Sequence, residues 1–250
     1  MKTVNINNLY IIIQARMTST RLPKKIMLPL CNSTVLETLI NRLYLYKDNI
    51  IIATTNDGTE KDIIDLCIKL NIKYFKGSTE NVLERYYQSA KKYNLKKNDI
   101  IIRITSDCPL IDVQIMQKTI DKYLSGNYDY VSNRIERTIP IGLDVEVFNY
   151  KILQEMYDNA ILDFEKEHVT PYIYISNKNK YRIGSYKEIN DYSKYRLTLD
   201  EKDDYLAIKE IYRKFNNNID FSYNELIDML ESNQYIYDIN KNIKQKIIVN

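Results

Sequence analysis

The stretch YIIIQARMTSTRLPKKIML, residues 10–28, decides which fold this sequence predicts. It begins with the apolar run YIII, which is typical of a buried strand, and continues as a polar loop. The loop carries Arg16, Arg21, Lys24 and Lys25, with hydroxyl side chains between the two arginines. Open α/β sheets bind phosphates at the carboxyl ends of their strands, so a basic loop after the first strand indicates a phosphate-binding loop.

This loop differs from the common phosphate-binding motifs because it contains no glycine. Neither the GxxxxGK[ST] spacing nor the dinucleotide fingerprint is present. Phosphate binding would therefore depend on side chains. Arginines would donate bidentate hydrogen bonds from their planar guanidinium groups, and lysines would contribute a compact positive charge. The alternative interpretation is a solvated basic loop without a ligand, and spacing alone does not separate the two.

The composition excludes several classes of protein. The 36 basic residues nearly balance the 33 acidic ones, and a net charge of +3 does not indicate a nucleic-acid-binding protein. Three scattered cysteines predict no disulfide framework and favour a reducing, cytoplasmic location. With one histidine, a four-ligand zinc site is not expected. No apolar run reaches the roughly 20 residues that span a membrane, so we expect no membrane partner.

Short apolar runs alternate with amphipathic segments, a pattern typical of βα units on a mostly parallel sheet. We find no internal repeat and no linker, so we expect one continuous domain over residues 1–250. Within it, residues of about 127–186 are expected to form a small inserted subdomain, because the predicted strands there are short and irregularly spaced. Further along the chain, the pattern predicts a helix over 164–175, a strand over 195–199, a helix over 202–215 and only weak periodicity from Asn233 onward.

Two aspartates follow predicted strands. Asp107 ends the run DIIIRITSD, and Asp200 ends RLTLD. Carboxylates at strand ends are suited to Mg²⁺, which binds one or two of them together with substrate phosphates. The alternative role for each is a helix cap. Asp112 is better placed than Asp107 to cap the helix that follows, whereas for Asp200 taken alone a capping role is favoured over a metal role.

The only histidine, His168, lies in the stretch EKEHVTPYIY. A single histidine on a mixed helix is more often structural than catalytic. Residue patterns therefore favour a structural role, which is compatible with a position near a substrate pocket without a role as a base.

Eight stretches of the chain, taken in order, resemble one protein family. They are QARMTSTRLPKKIMLPL, IIATTNDGTEKD, FKGSTENVLERYYQSA, RITSDCPLID, DYVSN, IGLDVEVFNY, EKEHVTPYIY and RLTLDEKDDY. The ordered set resembles the SpsF-type spore-coat polysaccharide branch of the cytidylyltransferase family and, more distantly, the CMP-Kdo and CMP-sialic acid synthetases. The resemblance covers residues 11–208 and implies a Rossmann-like nucleotide-diphospho-sugar transferase fold, with a mostly parallel sheet flanked by helices.

The resemblance also implies an activity and a set of site residues. It implies transfer of CMP from CTP to an acidic sugar or a phosphorylated or phosphonate acceptor, with release of pyrophosphate, for surface polysaccharide biosynthesis. Catalytic roles on the triphosphate would fall on Arg16, Arg21 and Lys25. The implied nucleotide-binding residues are Ala15, Arg16, Ser19, Arg21, Lys25 and Thr105; the implied Mg²⁺ ligands are Asp107 and Asp200; the implied acceptor-binding residues are Asp144, Glu146 and His168. A homodimer formed through the subdomain is implied as well.

The sequence departs from the family pattern at two places. The family loop commonly reads MGSTRLPGK, so Thr18 and Lys24 stand where glycines are usual, and glycine permits a positive φ that other residues adopt less readily. The late motif, usually DTPEDL, reads DEKDDY here.

Two other functions stay open on the residue patterns. A glycosyltransferase of the related fold would usually hold its metal with a DxD pair, and TSDCP supplies one acid. A non-catalytic nucleotide-binding partner is the other alternative, which the retained lysine and both aspartates disfavour.

Overall fold

The computed structural model describes residues 8–246, so both ends of the predicted 1–250 domain lie outside the described part. The strands are β1 (Leu9–Ala15), β2 (Pro29–Leu30), β3 (Ser33–Thr34), β4 (Ile50–Thr55), β5 (Lys73–Gly77), β6 (Ile100–Thr105), β7 (Tyr130–Ser132), β8 (Glu146–Asn149) and β9 (Ile183–Ser185). The α-helices are α1 (Val35–Arg42), α2 (Lys61–Leu70), α3 (Val82–Lys92), α4 (Val113–Ser125), α5 (Tyr150–Asn159), α6 (Asp163–His168), α7 (Lys202–Lys214), α8 (Tyr223–Ser232) and α9 (Gln234–Asn240).

Seven of these strands form one sheet in the order β5-β4-β1-β6-β8-β7-β9. β5, β4, β1 and β6 are parallel to one another, as are β7 and β9, whereas β8 runs antiparallel to both β6 and β7. The prediction of a mostly parallel α/β sheet is therefore confirmed. Strands from residues 127–186 extend this same sheet, and the role of that part as a subdomain stays a prediction.

The central strands are apolar on both faces because helices cover the sheet on both sides. Ile11 and Ile13 of β1 pack in a cluster with side chains of α1, α2 and α4. Ile12, which points to the opposite face, packs with side chains of α3 and α5. All three isoleucines are fully buried. A third cluster joins α7, α8 and α9 to the segment 195–199.

The prediction of a strand at residues 195–199 is wrong in that the segment lies outside the sheet. Its backbone forms one isolated bridge, between Ile141 and Arg196, through the hydrogen bonds Ile141 N to Tyr195 O (3.0 Å) and Leu197 N to Ile141 O (2.7 Å). Pro140 has no N–H to extend this pairing on one side. On the other side, Gly142 has φ +101°, which is not strand geometry, and it approaches Leu197 so closely that a Cβ at Gly142 would lie 2.4 Å from the Leu197 carbonyl carbon.

The helix predicted over 164–175 is broken in the structure. α6 ends at His168, and Val169 adopts φ +70°, which no α-helix accommodates. A separate π-helical turn, Tyr172–Ser176, follows after Pro171. Proline disfavours helical geometry at the residue before it, which explains why the helix does not continue through Thr170.

The tail from Asn233 contains a helix, α9, that the weak periodicity did not predict. It buries only Ile236 and Asn240, so its apolar face is too small to give a clear pattern. Asn240 is fixed by polar contacts, because its amide donates to Arg196 O and to Asp204 Oδ1, both at 2.9 Å. Within residues 8–246, no helix is both long and apolar enough to span a bilayer.

The basic loop after β1 is closed by its own backbone. Met17 O accepts hydrogen bonds from Ser19 N (3.1 Å) and Lys24 N (3.0 Å). Lys24, at one of the usual glycine positions, adopts the left-handed conformation with φ +57° and ψ +22°. Thr18, at the other, does not have a positive φ. The loop therefore keeps the glycine-type geometry at one of the two positions without the glycine.

We expect Lys24→Gly to be more stable than Lys24→Ala by about 0.5–1 kcal/mol. Glycine avoids the left-handed strain of about 1–2 kcal/mol, and this gain exceeds its larger loss of backbone entropy on folding, about 0.5–1 kcal/mol. Both variants remove the same exposed charge, so the alanine variant serves as the matched control. Urea unfolding at neutral pH measures the difference. Equal stabilities would show that residue 24 is not left-handed in solution.

Candidate active site

A cleft of about 840 Å³ opens at the carboxyl ends of β1 and β6. Ten of the site residues predicted from the sequence line it, from segments widely separated in the chain. They are Ala15, Arg16, Ser19, Arg21, Lys25, Thr105, Asp107, Asp144, His168 and Asp200. Glu146, the remaining predicted residue, does not line the cleft and is 2% exposed.

Lys25 joins the two predicted metal ligands. Its ammonium donates to Asp107 Oδ2 at 2.7 Å and to Asp200 Oδ1 at 2.8 Å. Burial alone would lower the pKa of Lys25, but the two carboxylates outweigh burial and raise that pKa. Burial alone would raise the pKa of Asp107 and of Asp200, but Lys25 outweighs it and holds both pKa values below their usual range. All three groups are therefore charged at neutral pH.

The segment 195–199 brings Asp200 to Asp107. Leu199 N donates to the backbone carbonyl of Asp107 at 2.8 Å, which ties this segment to the loop after β6. The expectation that both acids converge is met, but Asp200 does not follow a strand of the sheet.

Asp200 is held by two arginines as well as by Lys25. Arg21 contacts Asp200 Oδ1 at 3.0 Å, and Arg196 contacts Asp200 Oδ2 at 2.9 Å. Arg196 also bonds the fully buried Asp204, whose carboxylate accepts from the backbone N–H groups of Asp200 and Glu201. Asp204, rather than Asp200, is therefore the acid at the start of α7 that binds backbone N–H groups.

Arg16 differs from Arg21 and Lys25, the two paired cations of the loop. It is exposed and forms no ion pair within residues 8–246. Its guanidinium is consequently available to a ligand in the cleft.

A second charged network lies behind the cleft wall, centred on Glu146 of β8. Arg103 of β6 faces Glu146 across the sheet and forms an ion pair with it. Arg134 contacts the same oxygen, Oε1, at 3.2 Å, while Tyr130 and Thr170 donate to Oε2. Burial would raise the pKa of Glu146, but the two arginines and the hydroxyl donors outweigh it and hold that pKa at about 2. Glu146 therefore positions arginines that line the cleft, and its predicted acceptor contact stays a prediction.

The other two predicted acceptor residues lie on the cleft wall. Asp144 is paired with Arg137 Nη1 at 2.6 Å. His168 ends α6, and burial lowers its pKa below the usual range. Its imidazole is therefore mostly neutral at pH 7.

The residue patterns missed Arg103, Arg134 and Arg196 as parts of the site. Arg103 had a readable signal, since it interrupts the apolar run DIIIRI, and buried arginines are rare unless paired. Arg85 was also missed; it is 1% exposed, lines the cleft and donates to Ser78 O at 2.9 Å. Arg134 and Arg196 carry no comparable local signal.

A basic loop after β1, together with paired carboxylates beside β6, defines a site of the nucleotide-transferring class, because such sites handle phosphates and a divalent cation at strand ends. A family model described as cytidylyltransferase matches residues 10–244, and this chain belongs to that family. The predicted enzyme class, a nucleotidyltransferase, is confirmed at this level.

Known relatives match almost the whole chain. It is 38% identical over 240 residues to the uncharacterized protein MJ1063 of Methanocaldococcus jannaschii, covering 94% of this chain and 95% of that protein. It is 35% identical to the spore coat polysaccharide biosynthesis protein SpsF of Bacillus subtilis, covering 91% and 95%. A cytidylyltransferase structure from Leptospira borgpetersenii is 34% identical with a TM-score of 0.87, covering 96% and 99%. The predicted SpsF-type resemblance and fold are thereby confirmed.

We expect Glu146→Gln to destabilise the protein by about 3 kcal/mol at pH 7, because it removes a buried charge shared by two arginines. Since the folded pKa of Glu146 lies below its unfolded value, its contribution is fully present above about pH 4.5 and is lost as the pH falls toward about 2. The difference between the variant and the wild type should therefore shrink over this window.

Urea unfolding at a series of pH values measures this difference. The control is Glu231→Gln, a change at an exposed glutamate of α8, which should leave stability unchanged. A gap between Glu146→Gln and the wild type that does not depend on pH would contradict the low pKa.

Proposed function

We propose that this protein transfers CMP from CTP to an acidic sugar or a phosphorylated or phosphonate acceptor, with release of pyrophosphate, in the assembly of a surface polysaccharide. The observation that carries the proposal is the meeting of Arg21, Lys25, Asp107 and Asp200 on one cleft. Membership of the cytidylyltransferase family and the similarity to SpsF support the choice of CTP and of the biosynthetic role.

The nucleotide would lie along the loop after β1. Arg16, Arg21 and Lys25 would bind the triphosphate, and the exposed, unpaired guanidinium of Arg16 supports this role. Ala15, Ser19 and Thr105 line the cleft at the ends of β1 and β6, where the nucleoside would contact them. The closed backbone of the loop would hold these groups in place before the substrate binds, which reduces the cost of ordering them.

Asp107 and Asp200 fit a Mg²⁺ site. Their oxygens already converge on one cationic nitrogen, that of Lys25, so the pair presents two hard oxygen ligands toward a common point. Within residues 8–246, no cluster of three or more acidic, histidine or cysteine side chains could hold a metal by itself. Two carboxylates completed by substrate phosphates therefore match this site better than a full set of protein ligands. When bound, Mg²⁺ would neutralise charge on the phosphate oxygens.

The reaction would form a bond between an acceptor oxygen and the α-phosphorus of CTP and break the bond from that phosphorus to the bridging oxygen of pyrophosphate. Arg16, Arg21 and Lys25 would neutralise the negative charge that collects on the leaving pyrophosphate. An acceptor whose attacking oxygen is already ionised needs no general base. The mostly neutral His168 on the cleft wall would then serve in acceptor binding.

The charge around Glu146 supports the proposal of an acidic acceptor. Arg103 and Arg134 both contact Glu146 Oε1, so two guanidinium groups share one carboxylate. Both arginines line the cleft. One carboxylate balances only one of the two positive charges, and a buried positive charge that is not balanced is costly. A carboxylate or phosphate of the acceptor would supply the missing negative charge, as a bidentate partner for Arg134.

The function is tested by incubating the protein with CTP, Mg²⁺ and a panel of sugar acids, phosphorylated sugars and phosphonates, and by following pyrophosphate release. Release with CTP, and with no other nucleoside triphosphate, is the expected result. Turnover of a preformed nucleotide-sugar without pyrophosphate would instead indicate a glycosyltransferase. Binding of CTP without turnover of any acceptor would indicate a non-catalytic partner.

In the same assay we expect Asp107→Asn to lower kcat/KM by at least roughly a hundredfold, because it removes a ligand of the divalent cation. Its melting temperature should stay within a few degrees of the wild type. The matched control is Asp203→Asn, an equal charge change at an exposed position of α7, which should retain full activity. An active, folded Asp107→Asn variant would remove Asp107 from the metal site.

We expect Arg134→Met to raise the KM for the acceptor by roughly tenfold or more while leaving the KM for CTP unchanged. The reason is that, of the two substrates, Arg134 would contact only the acceptor, through its anionic group. Arg182→Met is the control, since Arg182 is an exposed arginine paired with Asp129 outside the cleft. Steady-state kinetics with each substrate varied in turn separates the two constants. An equal rise in both KM values would contradict a role confined to the acceptor.

A further inference from the structure

Lys25 stands where the proposed metal would bind. Its ammonium lies within hydrogen-bond distance of one oxygen of Asp107 and one oxygen of Asp200, and its side chain is 12% exposed. A divalent cation bound by this pair of carboxylates needs the same oxygens. The ammonium and the metal therefore compete for one place.

The other cations nearby add to this competition. Asp200 Oδ1 is shared by Lys25 and Arg21, and Asp200 Oδ2 is occupied by Arg196. Three positive side chains thus contact the two carboxylates and offset the charge that would attract a divalent cation, although Arg21 and Arg196 also pair with Glu201 and Asp204. An incoming metal would have to displace an ammonium from a partly desolvated position, where charge pairs are held strongly.

A nucleotide changes this balance because it offers Lys25 another partner. The triphosphate that the proposed function places along the loop carries several negative charges. The loop that bears Lys25 also bears Arg16 and Arg21, which would draw the triphosphate to the same region. Once Lys25 donates to phosphate oxygens, Asp107 Oδ2 is free, and Asp200 Oδ1 is free as well when Arg21, which the proposed function also places on the triphosphate, leaves it. Phosphate oxygens are then present to complete the coordination.

We infer that Lys25 closes the Asp107–Asp200 site to divalent cations until a nucleoside triphosphate draws its ammonium away. Metal and nucleotide then bind with positive coupling, and by linkage each raises the affinity for the other by the same factor. This inference rests on the proposed function, since it takes Asp107 and Asp200 as the metal ligands. Lys25 thereby has two successive partners, the carboxylates in the free protein and the phosphates in the complex.

The test measures Mn²⁺ binding in the absence of nucleotide, by the electron paramagnetic resonance signal of free Mn²⁺ at fixed pH and ionic strength. We expect Lys25→Met to bind Mn²⁺ at least roughly tenfold more tightly than the wild type, because the competing cation is gone. The matched control is Lys24→Met, which removes the neighbouring exposed lysine and should bind Mn²⁺ as weakly as the wild type. A folded Lys25→Met variant that binds no more tightly than Lys24→Met would overturn the inference.

A second arm covers the case in which Lys25→Met does not fold. Lys25→Gln keeps a hydrogen-bond donor without the charge and should show the same gain in Mn²⁺ affinity. A non-hydrolysable CTP analogue should raise the Mn²⁺ affinity of the wild type by a larger factor than it raises the Mn²⁺ affinity of Lys25→Gln. Equal factors would contradict displacement of Lys25 by the nucleotide.

The failure of this inference is distinguishable from the failure of the proposed function. Asp107→Asn added to Lys25→Met should abolish the gain in Mn²⁺ affinity, and a retained gain would show that the metal binds elsewhere. Pyrophosphate release from CTP by the wild type tests the function independently of any Mn²⁺ titration. Release without a gain in Lys25→Met would leave the function intact and reject the competition.

Discussion

The ion pairs of Lys25 with Asp107 and Asp200 are the interaction on which the cleft depends. They join three segments that are remote in sequence: the loop after β1, the loop after β6 and the entry to α7. Half-buried charges are tolerated only when each is paired, so the position of any one of these side chains constrains the other two. The backbone bond from Leu199 to Asp107 reinforces the same junction without using charge.

The Glu146 network obeys the same rule with the opposite balance of charge. At Lys25 one cation bridges two carboxylates, whereas at Glu146 one carboxylate is shared by two arginines. Both arrangements line or support one cleft. Under the proposed function, the first would exchange its ammonium for a metal bound with the triphosphate, and the second would bind the anion of an acidic acceptor.

The parts of the fold that followed from the sequence are those dominated by local burial. Ile11, Ile12 and Ile13 are buried on the two faces of the sheet. In a chain with alternating amphipathic segments, such an apolar run is typical of a central strand covered by helices on both sides. The segment 195–199 has equally strand-like residues, yet its partner Ile141 lies between a proline without an N–H and a glycine with positive φ, which limits the pairing to a single bridge. α9 went unrecognised because its anchoring depends on Asn240, a polar residue bonded to remote partners.

The sequence alone determined the sheet class and the basic loop, and it singled out Asp107 and Asp200, because hydrophobic periodicity and residue type are local properties. It also determined the family, since eight ordered motifs persist along the chain. Only the tertiary structure decided that Lys25 lies between the two acids and that Glu146 stands behind the wall with two arginines. It also showed Lys24 holding a left-handed backbone without glycine. These facts concern distances between remote segments and the pairing of buried charge, which residue spacing does not encode.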